Sequence, residues 1–168
     1  MKSLLSLWQK DEFHGVGDRG LLELPLTAFF ASRRSSGKAI YKAMDWAVEQ
    51  ARNKTPIIGG FHSPLEQSVL KVMLTAHAPV VIVIARKLET ARLSAIWCDS
   101  VKAGTVTVVS MEDTVQRLTA ERAMRRNHWI AAHATQIVVA EALSEGGLAL
   151  CLAQWTSEGH QVNNLLAA

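Results

Sequence analysis

The sequence predicts an α/β fold of the Rossmann-like, doubly wound kind, with a mainly parallel sheet of about six strands and helices on both faces. Three observations predict it: short β-branched apolar runs recur along the chain, stretches with apolar residues at helical spacing separate them, and the links between the two are short. The run Val80–Ala85 (VVIVIA) is apolar at every position. A strand covered by helices on both faces reads this way, whereas a half-exposed strand alternates.

Residues 1–25 form an N-terminal extension in which periodicity assigns only a turn, Gly15-Val16-Gly17-Asp18-Arg19-Gly20, between apolar runs at Leu4–Trp8 and Leu21–Leu24. Residues 26–168 form a single Rossmann-like domain. Its first strand is Leu26–Ser32 (LTAFFAS), and the turn Arg33-Arg34-Ser35-Ser36-Gly37 leads to a helix with the stripe Ile40, Ala43, Met44, Ala47 and Ala51. Thr55–Gly59 is the second strand. After it, Gly60-Phe61-His62 turns the chain, Ser63 caps a helix and Pro64 occupies its first position, ahead of the stripe Leu65, Val69, Val72, Met73 and Ala76. Val80–Ala85 precedes a helix near Ala91–Ala103, and Thr105–Ser110 is the fourth strand. A long helix around Gln116–Ala134 carries Ala123, Ile130, Ala131 and Ala134 on its apolar stripe, and Gln136–Ala140 is the fifth strand. The last helix starts at Gly146-Gly147, turns Leu148, Cys151, Leu152 and Trp155 to one side, and stops near Gly159, leaving Gln161–Leu165 as a weak sixth strand.

Composition narrows the function classes. The 168 residues are 49% hydrophobic and carry a formal charge of +3, which permits binding to phosphates but is far from a polycation. Cys98 and Cys151 stand apart with no CxxC, so neither a disulfide framework nor a zinc knuckle is expected. The opening MKSLLSLWQKDE is too short in apolar residues for a signal peptide, and no run reaches the ~18 residues of a membrane span. A cytoplasmic location is expected. Neither GxGxxG nor GxxxxGK[ST] occurs, and His128 and His133 do not share a helix face, so no dinucleotide, Walker loop, cofactor or metal is expected.

Parallel sheets bind ligands beyond the carboxyl ends of their strands, and three loops lie at that edge. Glycines there let backbone N–H groups approach an anion at a helix N-terminus, while serine hydroxyls and an arginine fork add charge-assisted hydrogen bonds. The candidate phosphate-binding residues are Ser32, Arg33, Ser35 and Gly37 from the first loop, Gly59, Gly60, Phe61, His62 and Ser63 from the second, Gly146 and Gly147 from the last, and Arg126 from the long helix. Asn127, on the inward stripe, is expected to pin a neighbouring loop through its backbone, and Glu141 to give structural support. Arg125 and His128 fall on the wet face. Trp46, Trp97 and Trp155 are expected in the core, whereas Trp8 and Trp129 are candidates for an interface. His62 and Glu66 stand one helical turn apart, a spacing at which a carboxylate orients an imidazole, but no nucleophile accompanies them and no catalytic residue is assigned.

The segments TAFFASRRSSG, IIGGFHSP, VVIVIARKLE, MRRNHWIAAHATQIVVAEA and SEGGLALCLAQWTSEGHQV, in that order, resemble the Rossmann-like core of the DprA/Smf DNA-processing proteins, over Leu26 to Val162. That core belongs to the SLOG superfamily, which also contains the LOG phosphoribohydrolases. The most specific part is Arg126-Asn127, followed by a strand ending at Glu141 and a small-residue turn into the last helix. Two loops depart from the family pattern: Ala31-Ser32-Arg33 replaces Gly-Ser-Arg, and Gly59-Gly60-Phe61-His62-Ser63-Pro64 replaces a Ser-Gly-x-Ala-x-Gly-Ile-Asp loop. The resemblance implies a non-enzymatic homo-oligomer that binds nucleotide or single-stranded nucleic acid. A small-nucleotide sensor is the alternative reading. A LOG-like nucleoside-monophosphate phosphoribohydrolase is disfavoured, because Ser144–Leu152 lacks the Thr and Glu of the PGGxGTxxE motif.

Overall fold

The computed structural model describes residues 6–112, 119–143 and 146–167. In chain order the elements are β1 (Leu7–Lys10), β2 (Phe13–Val16), β3 (Thr27–Phe30), α1 (Gly37–Asn53), β4 (Ile57–Gly59), α2 (Pro64–Thr75), β5 (Val80–Ile84), α3 (Ala95–Lys102), β6 (Val106–Ser110), α4 (Ala120–His133), β7 (Gln136–Val139), α5 (Gly147–Ser157) and β8 (Val162–Asn164). One sheet of eight strands, ordered β1-β2-β6-β5-β4-β3-β7-β8, holds them together. The strands from β6 to β8 in that order run parallel, and only β1 and β2 are antiparallel to their neighbours.

The core forms where the pleat sends alternate side chains to opposite faces. In β5, Val80, Ile82 and Ile84 meet Ala43 and Ala47 of α1 and Val69 and Met73 of α2, whereas Val81 and Val83 face Ile130 of α4 and Trp155 of α5. Both faces of the central strand are therefore dry. Trp155 is 1% exposed, and its indole N–H donates to His128 Nδ1 across 3.0 Å, which joins α4 to α5. His128 thus packs against a neighbouring helix, not on the wet face that spacing assigns it. Ile40 corrects the predicted stripe of α1 in the other direction: it is 45% exposed, and Ala39, Ala43, Ala47 and Ala51 make the buried face. Small alanines there let α1 lie close to the sheet.

The sheet has eight strands against the expected six because the N-terminal region adds the hairpin β1–β2. The chain reverses at Asp11, with φ +52°, and Gly15, which reads as part of a turn, instead pairs with Val109 inside β2. Gly15 is bare so that the Trp8 ring can lie over it; a β-carbon would fall 2.3 Å from that ring. Trp8 also donates its indole N–H to Gly17 O, and Trp129 stacks on His133 with ring centroids 3.8 Å apart. Both tryptophans pack against neighbours within the fold and remain half-buried. Leu21–Leu24 is not extended: residues Arg19–Glu23 form a short 3-10 helix. Among the described residues no helix is long and apolar enough to cross a membrane.

Gly17 ends the hairpin with φ +105°, and a β-carbon there would meet Val106 O at 2.6 Å. Gly17→Ala is expected to destabilise the fold by about 1–3 kcal/mol, read as a lower urea midpoint, since it adds left-handed strain to a backbone clash.

Candidate functional site

Parallel pairing brings the carboxyl ends of β3 to β7 to one edge. The chain leaves β3 towards β4, β5 and β6 on one side and returns with β7 and β8 on the other, so the topological switch lies between β3 and β7. There the loops are tied to each other. Ser32 N donates to Glu141 O at 3.0 Å, Ser32 Oγ accepts from Leu143 N at 2.9 Å, and Glu141 Oε1 accepts from Ser36 N at 2.7 Å. Ser36 caps α1 by accepting from Ala39 N, and Gly37 is the first residue of that helix. Arg33 and Arg34 are exposed beside it, while Ser35 Oγ is buried without a hydrogen-bond partner among the described residues. Gly146 caps α5 and Gly147 begins it.

One strand over, a buried carboxylate organises the loop after β4. Glu66 is 7% exposed; its Oε1 accepts from His62 N and Ser63 N, each at 3.0 Å, and its Oε2 accepts from Ala31 N at 3.0 Å. Ser63 Oγ in turn accepts from Glu66 N, completing a capping box at the start of α2. Two expectations are corrected here. Two backbone donors of the second loop, His62 N and Ser63 N, read as part of a phosphate cradle, already hold a carboxylate. Glu66 engages the backbone of His62 and not its imidazole, which is exposed.

Arg126 reaches this loop from α4, on the opposite face of the sheet, across the end of β4. Gly60 makes the passage possible: a β-carbon on it would sit 2.6 Å from Arg126 Nε. The guanidinium is buried, 7% exposed, and not on an open face of the helix. Burial holds its pKa below the usual arginine value, and the charge of Glu66 acts to raise it again. Asn127 is half-buried, and its Oδ1 lies 3.4 and 3.3 Å from Arg126 Nε and Nη2. It faces the arginine beside it, in place of the neighbouring backbone that its inward spacing predicts. Further along the edge, Glu112, also buried, accepts from Arg125 Nη2 at 2.8 Å and lies 3.8 Å from Arg122 Nε, so α4 is fastened to the end of β6. Arg125 is exposed, as spacing predicts, but paired.

A cavity of about 770 Å³ opens beyond β4 and β5, between α2 and α3. Gly60, His62, Lys71, Arg86, Trp97 and Arg126 line it, and among the described residues no carboxylate does. Arg86 follows β5, where its carbonyl accepts from Ser110 Oγ at 2.5 Å. Trp97, expected in the core, is half-buried and lines this space beside Ile96, which is 64% exposed. Phe61, held at φ +49°, is 4% exposed and packs its ring against Gly59. The predicted residues therefore divide. Gly60, Phe61, His62 and Arg126 line the cavity; Ser32, Arg33, Ser35, Gly37, Gly146 and Gly147 belong to the switch-point loops, outside it. Lys71, Arg86 and Trp97 were not legible as site residues, because only the crossing of α2, β5 and α3 puts them side by side.

The sequence matches the family model described as DNA recombination-mediator protein A over residues 12–165. The chain belongs to this family. Solved structures agree in fold. The DNA processing protein A of Helicobacter pylori, whose single-stranded DNA binding mode has been described structurally, superposes with a TM-score of 0.77 at 15% identity, covering 95% of this chain and 80% of that one. DprA from Streptococcus pneumoniae superposes with a TM-score of 0.74 at 21% identity, over 90% of this chain and 54% of the pneumococcal one. No curated protein sequence matches. Within this recombination-mediator fold, Glu66→Ala would strand three N–H donors, two of them buried, and remove the opposing charge that Glu66 offers Arg126. A loss of about 3–5 kcal/mol is expected by urea denaturation, with Glu66→Gln losing less, since one amide oxygen still accepts.

Proposed function

We propose that the chain binds single-stranded nucleic acid at the cavity beyond β4 and β5, with phosphates held by Arg126, Arg86 and Lys71 and a base stacked on Trp97. The observation that carries this reading is the cavity's lining: cations from α2, from α4 and from the loop after β5, and a half-buried indole, with no carboxylate among the described residues. A groove that combines positive charge with an aromatic face suits a single strand whatever its sequence, since every base has a face to stack. Membership of the recombination-mediator family and the DNA binding of the Helicobacter relative support it. Arg33, with Ser35 and the start of α1 at Gly37, and the Gly146-Gly147 start of α5 are assigned to flanking phosphates on the same edge.

A cavity of about 770 Å³ also falls within the ~300–1,000 Å³ that small-molecule sites occupy, which favours a free nucleotide as the second reading. A thermal-shift series with nucleoside monophosphates separates the two, because a ligand of the native state raises Tm with its concentration.

Fluorescence anisotropy of a labelled oligothymidine across a salt series tests the main reading. Log affinity should fall with log salt by about 0.7 per neutralised phosphate, and Arg86→Ala should make that slope shallower by about 0.7. Trp97→Ala should weaken binding by about 1–3 kcal/mol, the worth of one stacked base. Absence of binding at low salt, or a slope and affinity indifferent to both changes, overturns the proposal.

A further inference from the structure

A second concavity, of about 700 Å³, runs between α1 and α2 on the outer face of the same helical layer. Met44, Val48 and Val72 make its apolar floor, and Arg52 and Lys54 stand at the end where α1 stops. Lys54 keeps its place by donating to Ala76 O, and its backbone turns through φ +54°. Among the described residues no carboxylate lines this groove either; Asp45 and Glu49, exposed on α1, are not part of its wall. Lys71 and Thr75 of α2 line both this groove and the cavity of the candidate site. The two spaces thus adjoin across one ridge of α2, and that ridge carries a cation.

The geometry points to a second nucleic-acid subsite: the strand held at the candidate site continues over Lys71 into the α1–α2 groove, where Arg52 and Lys54 take its phosphates and the apolar floor takes its bases. This rests on the proposed nucleic-acid reading and extends it. Charge selects the occupant. Among the described residues no acidic side chain lines either of two adjoining concavities that together carry Arg52, Lys54, Lys71, Arg86 and Arg126, and such a surface attracts a polyanion that spans both. Val48, 41% exposed, and Met44 supply contact for base faces without any demand on base identity. The consequence is a site longer than one cavity, within the roughly 4–16 nucleotides over which single-strand grooves are known to track a backbone.

The experiment compares labelled oligothymidines of increasing length, from four nucleotides to twenty, on the full chain and on Arg52→Glu and Val48→Asp, both exposed positions whose folding is checked by melting curves. In the wild type, affinity should climb about tenfold or more between the shortest and the longest probe. Each variant should bind the shortest probe as the wild type does, lose most of that gain, and show a shallower salt slope on the longest probe only. Variants that match the wild type at every length overturn the second subsite and leave the first standing. Absence of binding by the wild type at all lengths overturns both.

Discussion

The carboxylate of Glu66 is the constraint on which the functional edge depends. Three backbone N–H groups, from Ala31 at the end of β3 and from His62 and Ser63 ahead of α2, converge on it. Three donors satisfy the oxygens of this carboxylate, which sits at the positive end of α2. By binding the donors of two loops at once, Glu66 fixes the distance between the ends of β3 and β4. It also places a negative charge below the loop, which answers the positive charge of Arg126 reaching over from the other face of the sheet.

Burial of that guanidinium follows from the same arrangement. An arginine 7% exposed would be unstable without an opposing charge and a gap to lie in; Glu66 supplies the first and the bare backbone of Gly60 the second. Arg126 is thereby pre-positioned at the cavity, its side-chain freedom already lost on folding and not on ligand binding. Arg86 and Lys71 differ from it. They line the same cavity but are exposed, so that on the proposed reading they would adjust to phosphates whose positions a flexible strand does not fix.

The two apolar clusters divide the work between structure and site. Cluster residues of α1, α2 and β5 build a rigid floor on one face, and the outer surfaces of those same helices carry the basic concavities. On the other face α4 is held by Ile130 in the core, by His128 through Trp155 and by Arg125 through Glu112. These three attachments orient α4 so that Arg126 can cross the sheet edge. A rigid scaffold under adjustable surface cations is what sequence-independent recognition of a strand requires.

Much of this was legible in residue order. Periodicity located β3 to β8 and all five helices, and the Ser63-Pro64 and Gly146-Gly147 signals marked the starts of α2 and α5, because caps and apolar spacing are local properties of the chain. The hairpin β1–β2 was not legible, since a glycine inside a strand reads as a turn until the Trp8 ring that covers it is known. At the candidate site, the sequence pointed to the loop after β4 and to Arg126, which meet at the cavity, yet assigned His62 and Ser63 to a phosphate when Glu66 already takes their N–H groups. Lys71, Arg86 and Trp97 carry no local mark of their own, and a half-buried tryptophan in a helical stripe is indistinguishable from a core residue along the chain. The sequence by itself determined which segments are strands and helices and which ends of them meet; only the tertiary structure decided which charges lie buried against each other and which stand in the cavity, because that depends on pairs of residues far apart in the chain crossing at one edge of the sheet.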